Sequence, residues 1–259
     1  MKFKTPTPSI KRLFLDIETS PNIVTSWRIG YKINIFPENI VEERKIICVS
    51  WKWEGSPKVS HLTWDKKTKD DKKLIQEIVK IIDKADEIVY QNGDRFDLPW
   101  IKTRAIFHGI FMAPKYQTFD TLKKVKSSFY FNSNKLDYIQ KYLGGKGKLE
   151  TGFNLWKRVC LDGELKALNE MVSYCDNDVL ELESFYNKII KYVPHNTHVG
   201  SLMGRDKYTC AGCGSHQVSL TKTRYTAMGT IRRQMQCQVC HTYFTISDSE
   251  YRKFIKENR

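Results

Sequence analysis

Two carboxylates interrupt an apolar run near the start of the chain. Residues 12–21 read RLFLDIETSP, with Leu13, Phe14, Leu15 and Ile17 surrounding Asp16 and Glu18. In a β-strand, residues i and i+2 point to the same face, so the two acids project side by side. A buried strand does not tolerate two adjacent carboxylates unless a cation or other donors compensate them. Magnesium or manganese, which prefer hard oxygen ligands, supply that compensation. The chemistry implied is metal-dependent, and the rest of the first domain must supply the missing half of the site.

Two later stretches qualify. Residues 92–97 (NGDRFD) follow a short apolar run, and α/β proteins usually place their sites at strand ends. Asp97 precedes Leu98-Pro99 and is read either as a helix N-cap or as a ligand. Asp94 reads as a solvated turn residue. Residues 174–178 (YCDND) fall in a helical segment, where Tyr174 and Asp178, four apart, share a face. Taken singly, Tyr174 would be ordinary core and Asp178 a surface charge. Asp176 points elsewhere and is expected to be exposed.

A second constellation lies near the C-terminus. Cys210, Cys213, Cys237 and Cys240 form two CxxC pairs, with 23 residues between Cys213 and Cys237. Four thiolates at this spacing fit a closed, tetrahedral, structural zinc site. Iron–sulfur ligation or redox thiols are the alternatives. His216 and His241 are not expected as ligands, because four cysteines complete the shell. Cys48, Cys160 and Cys175 are scattered, and the odd total favours a reducing compartment over a disulfide framework.

The elements that must position these residues follow from periodicity. Residues 11–17, 46–53, 59–64 and 87–91 read as strands, and 24–29 as a further one. Residues 70–84, 97–108, 119–129 and 135–143 read as helices. Residues 144–152 read as a glycine- and lysine-rich loop, and 165–191 as a long helix with a break near 173–176. Strands first, then alternation with helices, indicate an α/β fold with a mixed sheet. Residues 218–225 and 231–236 read as a hairpin between the cysteine pairs. The expected organisation is a domain over 1–194, opening with a loose tail over 1–10. A linker over 195–207 follows, then a zinc ribbon over 208–259 that ends in a helix.

The 259 residues include 41% hydrophobic side chains, enough for a core and too many for wholesale disorder. No signal-peptide pattern and no membrane-length apolar run are present, so a cytoplasmic location is expected. The formal net charge is +14, which points to an acidic polymer, nucleic acid before membrane surface. Residues 195–259 alone carry ten Lys/Arg against four Asp/Glu, interleaved with aromatics. The ribbon is thus read as a nucleic-acid clamp, with Arg232 and Arg233 as contacts, or else as a protein-docking knob.

DIET at 16–19, NxxxFD at 92–97 and YxxxD at 174–178 resemble, in order, the motifs of the DEDD superfamily of 3′–5′ exonucleases, on a ribonuclease H-like fold. The tyrosine is similar to the DEDDy branch, which includes the proofreading domains of family B DNA polymerases. The resemblance covers roughly residues 11–193, and the pattern after residue 207 resembles a zinc ribbon. It implies two Mg²⁺ or Mn²⁺ ions held by Asp16, Glu18, Asp97 and Asp178, with Asp16 bridging. It also decides for Asp97 over Asp94 and Asp178 over Asp176. Two such cations, ~3.5–4 Å apart, stabilise the attacking and leaving oxygens of a phosphodiester. A free tyrosine titrates near ~10, so Tyr174 orients the attacking water instead of deprotonating it.

Thr19 is expected at the terminal 3′ hydroxyl or as a strand-end hydroxyl bonded to backbone. Asn92 is expected to contact substrate, with closing the turn as the alternative. Phe96 and Phe129 are read as core or as a wedge against the terminal base. Lys123, Lys124, Lys126 and Lys135 are read as phosphate contacts or as a solvated face. The expected function is a 3′–5′ exonuclease, on single-stranded DNA in preference to RNA. The rival from another class is a silent nucleic-acid-binding or replisome-docking protein.

Overall fold

The computed structural model describes residues 10–145 and 152–258. Most of the expected tail (1–10) and of the glycine- and lysine-rich loop (144–152) lies outside the described residues.

Five strands form a mixed sheet: β1 (Arg12–Thr19), β4 (Ile46–Trp53), β5 (Ser60–Thr63), β6 (Glu87–Tyr90) and β7 (Thr118–Asp120), in the order β5-β4-β1-β6-β7. β4 runs antiparallel to β1 and β5, whereas β6 runs parallel to β1 and β7. Between β1 and β4 the chain leaves the sheet and pairs β2 (Ile23–Val24) with β3 (Ile40–Glu42). The strand expected over 24–29 is confined to this two-residue pairing, because everything from 24 to 38 is exposed and has no face to bury.

Alternation along β1 divides the molecule into layers. Leu13, Leu15 and Ile17 face α1 (Lys72–Ile82) and α2 (Asp97–Phe107), together with Leu74, Ile78 and Ile101. Phe14 faces the other way, onto Val179, Leu182, Phe185 and Tyr186 of the long helix. Asp16 and Glu18 share the parity of Phe14, so they too face that helix. The helix expected over 119–129 is instead β7 followed by α3 (Thr121–Ser128), because the Asp120 carboxylate caps the amides of Leu122 and Lys123. α4 (Leu136–Tyr142) follows as expected. α5 (Phe153–Cys160), absent from the sequence-level expectation, packs Leu155 and Val159 against the long helix.

That helix, α6 (Leu165–Ile189), is unbroken through the expected bend at 173–176. Its buried stripe runs Leu168, Met171, Cys175, Val179, Leu182, Phe185, Ile189, the spacing of an amphipathic helix. Two polar anchors from the inner face of β4 set its rotation. Ser50 Oγ donates to Asp176 Oδ1 at 2.6 Å, and Lys52 pairs with Glu183 two turns later. His61 Nδ1 lies 3.1 Å from the other Asp176 oxygen. Asp176, expected to be exposed, is therefore half-buried and ties α6 to β4 and β5. Helix rotation matters here because 100° would swing Asp178 from the sheet to solvent.

After α6, the expected linker over 195–207 is tied down on both sides. Thr197 Oγ1 donates to buried Glu87 (2.6 Å), and Asn196 bonds Thr118 O and Lys124 Nζ. The segment also holds α7 (Val199–Leu202), whose first amide bonds Ala211 O at 2.9 Å. The remainder is a three-stranded antiparallel sheet, β8 (Val218–Tyr225), β9 (Ile231–Cys237) and β10 (Tyr243–Ser247), closed by α8 (Asp248–Glu257). Among the described residues no helix is long and apolar enough to cross a membrane.

Replacing Asp176 by alanine removes two side-chain partnerships and unpins α6. The melting temperature is expected to fall by about 2–6 °C, the equivalent of about 1–2 kcal/mol. An unchanged melting curve would contradict the anchoring role.

Candidate metal centres

β1 delivers Asp16 and Glu18 to the α6 face, and α6 delivers Asp178 to meet them. One carboxylate oxygen from each of the three lies within 4.8 Å of the others. Asp178 is only 3% exposed and sits on the apolar stripe of α6, between Cys175 and Val179. Tyr174, one turn earlier, is half-buried. Cys175 Sγ lies 3.4 Å from Asp16 O and 3.6 Å from Asp16 Oδ2, which closes the site on the helix side.

Asp97 approaches from the opposite layer. It begins α2, and its Oδ1 accepts the amide of Ile17 at 3.2 Å, between the two acids of β1. The preceding turn explains how it gets there. Asn92 has φ +65°, a left-handed conformation that Asn tolerates. A Cβ on Gly93 would lie 2.1 Å from the Tyr90 ring, so only glycine fits. Asp120 accepts the amides of Asn92 (3.0 Å) and Asp94 (3.3 Å). Asp94, expected as a solvated turn residue, accepts from Tyr90 OH and from Thr118 Oγ1, and it pairs with Lys123. The loop is thus braced by two aspartates so that a third reaches the site.

The electrostatics are compatible with bound cations. Burial, and then the charge of Asp16, push the Asp97 carboxyl well above the usual carboxylate range; Glu18 adds to the effect, and the Ile17 amide opposes it. Like-charge crowding of this kind fits hard divalent cations, and carboxylates are the right donors for magnesium or manganese. Asp70, Asp71 and His108 also cluster. Asp71, however, already accepts Nε and Nη2 of Arg104, His108 and the Ile46 amide, so it is the centre of a buried ion-pair network that ties α1 and α2 to β4.

The cysteine cluster is equally well formed. All four sulfurs lie within 4.8 Å of one another, with Cys210–Cys240 at 3.5 Å and Cys213–Cys237 at 3.6 Å. Zinc–sulfur bonds of about 2.3 Å imply a tetrahedral edge of about 3.8 Å. The amides of Gly212 and Cys213 point at Cys210 Sγ, and those of Val239 and Cys240 at Cys237 Sγ, as suits thiolates. The fit to a small zinc-ribbon domain is good.

A family profile described as the RNase H superfamily matches residues 40–190, more than half of the chain. The chain belongs to the RNase H superfamily. The matched span includes Asp97, Tyr174 and Asp178, while β1 with Asp16 and Glu18 precedes it. Among solved structures, the family B DNA polymerase from the hyperthermophilic archaeon Pyrobaculum calidifontis has a TM-score of 0.53 at 15% identity, over 71% of this chain. The chain spans 25% of that polymerase's length. Comparison with curated proteins gives no match.

On this RNase H-like frame the other expected residues separate. Thr19 sits at a bulge after Glu18, and its carbonyl accepts the Trp156 indole at 3.1 Å. Phe96 packs on the α1/α2 core and Phe129 on the α6 core. Lys124 is neither a phosphate contact nor solvated: it is buried and bonds Pro194 O and Asn196, both at 2.6 Å. Lys126 and Lys135 line a cleft with Gln91, Asn134 and Asp137. In the ribbon, Arg233 is committed to Asp248 and Thr223 and stacks over Tyr251, whereas Arg232 is exposed. Trp156, Ser50 and Asp120 carried no motif, and only the fold reveals them.

Because the folded pKa of Asp97 is raised, metal-free protein loses stability as pH climbs above the usual carboxylate range. Asp97→Asn is expected to raise the metal-free melting temperature at pH 7, by about 2–4 °C per kcal/mol relieved, and to reduce the further gain on adding manganese. A variant that melts lower than the unaltered chain without metal would contradict the crowding.

Proposed function

We propose that the chain is a metal-dependent 3′–5′ exonuclease that hydrolyses phosphodiester bonds of nucleic acid, single-stranded DNA by preference. RNase H superfamily membership supports a nuclease-like function at the coarse level. The observation that carries the finer reading is the meeting of Asp16, Glu18 and Asp178, with Asp97 crowded against them. A module that only bound nucleic acid would bear the cost of this crowding with no return.

In this reading Asp16, Glu18, Asp97 and Asp178 hold two divalent cations, which when bound would stabilise charge on the attacking and leaving oxygens. The chain's own groups do the rest. Tyr174, on the Asp178 face of α6, orients the attacking water. Thr19, at the strand-end bulge, holds the terminal sugar, and Asn92 contacts the nucleotide beside it. Cys175 and the apolar stripe of α6 exclude bulk water from the helix side, which strengthens electrostatic interactions in the site. The ribbon, with one structural zinc on Cys210, Cys213, Cys237 and Cys240, adds a positively charged surface that includes exposed Arg232, Lys222 and Arg224.

With magnesium or manganese, 5′-labelled single strands should shorten to a ladder from the 3′ end, releasing mononucleotides. Asp16→Ala should slow this by about 1,000-fold or more. Matched DNA and RNA oligonucleotides assayed side by side would rank the two sugars. Cleavage of a circular single strand, or activity that survives Asp16→Ala, would contradict the reading.

A further inference from the structure

Residues 20–45 leave the sheet between β1 and β4, and both ends of this excursion are pinned beside the carboxylates. Ser20 N donates to Lys45 O at 2.9 Å, Lys45 N to Ser20 Oγ at 2.9 Å, and Arg44 N to Asn22 Oδ1 at 2.9 Å. The Arg44 guanidinium lies 5.1 Å over the ring of Trp100, one turn along α2 from Asp97. The excursion therefore rises from the rim of the site.

Its distal part contributes nothing to the core. Trp27, Ile29 and Tyr31 are fully or almost fully exposed, and Phe36 is more than half exposed. Single exposed apolar residues are ordinary on a protein surface, but a run of them on one segment marks an interaction site. Between Thr25 and Phe36, Arg28 and Lys32 alternate with these side chains and no acid occurs. Aromatic rings interleaved with cations suit single-stranded nucleic acid, since every base has a π-face and every linkage a phosphate. A protein surface would not require the uniform positive sign.

At the root a groove is lined by Thr19, Ser20, Pro21, Arg44, Phe153 and Trp156. Phe153 is largely exposed there. The Arg44 guanidinium, over the Trp100 ring at the wall of this groove, places a cation where a phosphate oxygen could meet it.

We propose that residues 25–36 are an arm that stacks the unpaired bases of a single-stranded nucleic acid, with Arg28, Lys32 and Arg44 meeting its phosphates and the Thr19 groove leading the strand to the carboxylates. The last clause rests on the nuclease reading; the binding surface does not. It distinguishes this chain's grip on the strand from that of the ribbon, which lies beyond α6 in sequence and carries its own positive charge.

The test is fluorescence anisotropy of the full chain with a labelled 20-nucleotide oligo-dT, without added magnesium or manganese. Trp27→Ala/Tyr31→Ala should weaken binding by about tenfold or more, from two lost stacking platforms. Arg28→Ala/Lys32→Ala should lower the slope of log K against log salt by about 1.4, from two lost phosphate contacts. Both variants should melt with the unaltered chain, because the arm is not part of the core. Unchanged affinity in the first variant together with an unchanged salt slope in the second overturns the arm. If the unaltered chain binds as described but cleaves nothing, the nuclease reading fails and the arm stands.

Discussion

The constraint on which the structure depends is the crowding of carboxylates at the end of one buried strand. Asp16, Glu18 and Asp178 bring ligand oxygens together, and Asp97 is forced toward its neutral form by burial and by Asp16. Four such groups in a low-dielectric setting repel one another unless cations lie between them. The chain accepts this cost at one place and spends much of its polar architecture on holding that place open. Elsewhere its buried acids are paired: Asp71 with Arg104 and His108, and Glu87 with Arg12 and Thr197. The convergence of several carboxylates on one place is what marks the site.

Three layers meet there, and each is registered by a separate device. The parity of β1 sends Asp16 and Glu18 to the α6 side. Ser50 and Lys52, on the matching parity of β4, grip Asp176 and Glu183 and so fix which face of α6 points inward. Asp120 and Asp94 brace the Asn92–Gly93 turn, which starts α2 where Asp97 can reach Ile17. Movement of any one would break up the cluster of carboxylates. The same logic explains why the segment after α6 is held by Glu87 and Lys124: it carries the cysteine knuckles, whose sulfurs are already at near-tetrahedral spacing.

Much of this was legible in the sequence because it has a period. An i, i+2 pair of acids in an apolar strand, a CxxC pair and long amphipathic runs declare themselves within a few residues. Asp178 was legible only through the resemblance, since taken alone it reads as a surface charge; that it lies on the apolar stripe of α6 is visible only in the fold. What escaped depends on contacts far apart in the chain. Asp176 looks like a solvated residue until Ser50, 126 positions away, is placed against it. Lys124 looks like part of a basic face until residues 194–196 fold over it. β7 was hidden because three residues are too few to show alternation, and α5 because a glycine- and lysine-rich stretch runs into it. The arm over 25–36 has strand-like alternation but no partner, so its pattern did not reveal its conformation.

The central claim is that the crowded acids are a two-cation site. Anomalous diffraction from crystals soaked in manganese measures this directly. The account predicts two anomalous peaks about 3.5–4 Å apart, bounded by Asp16, Glu18, Asp97 and Asp178. Absence of density there, or manganese bound only at the Asp70–Asp71–His108 cluster, would contradict it.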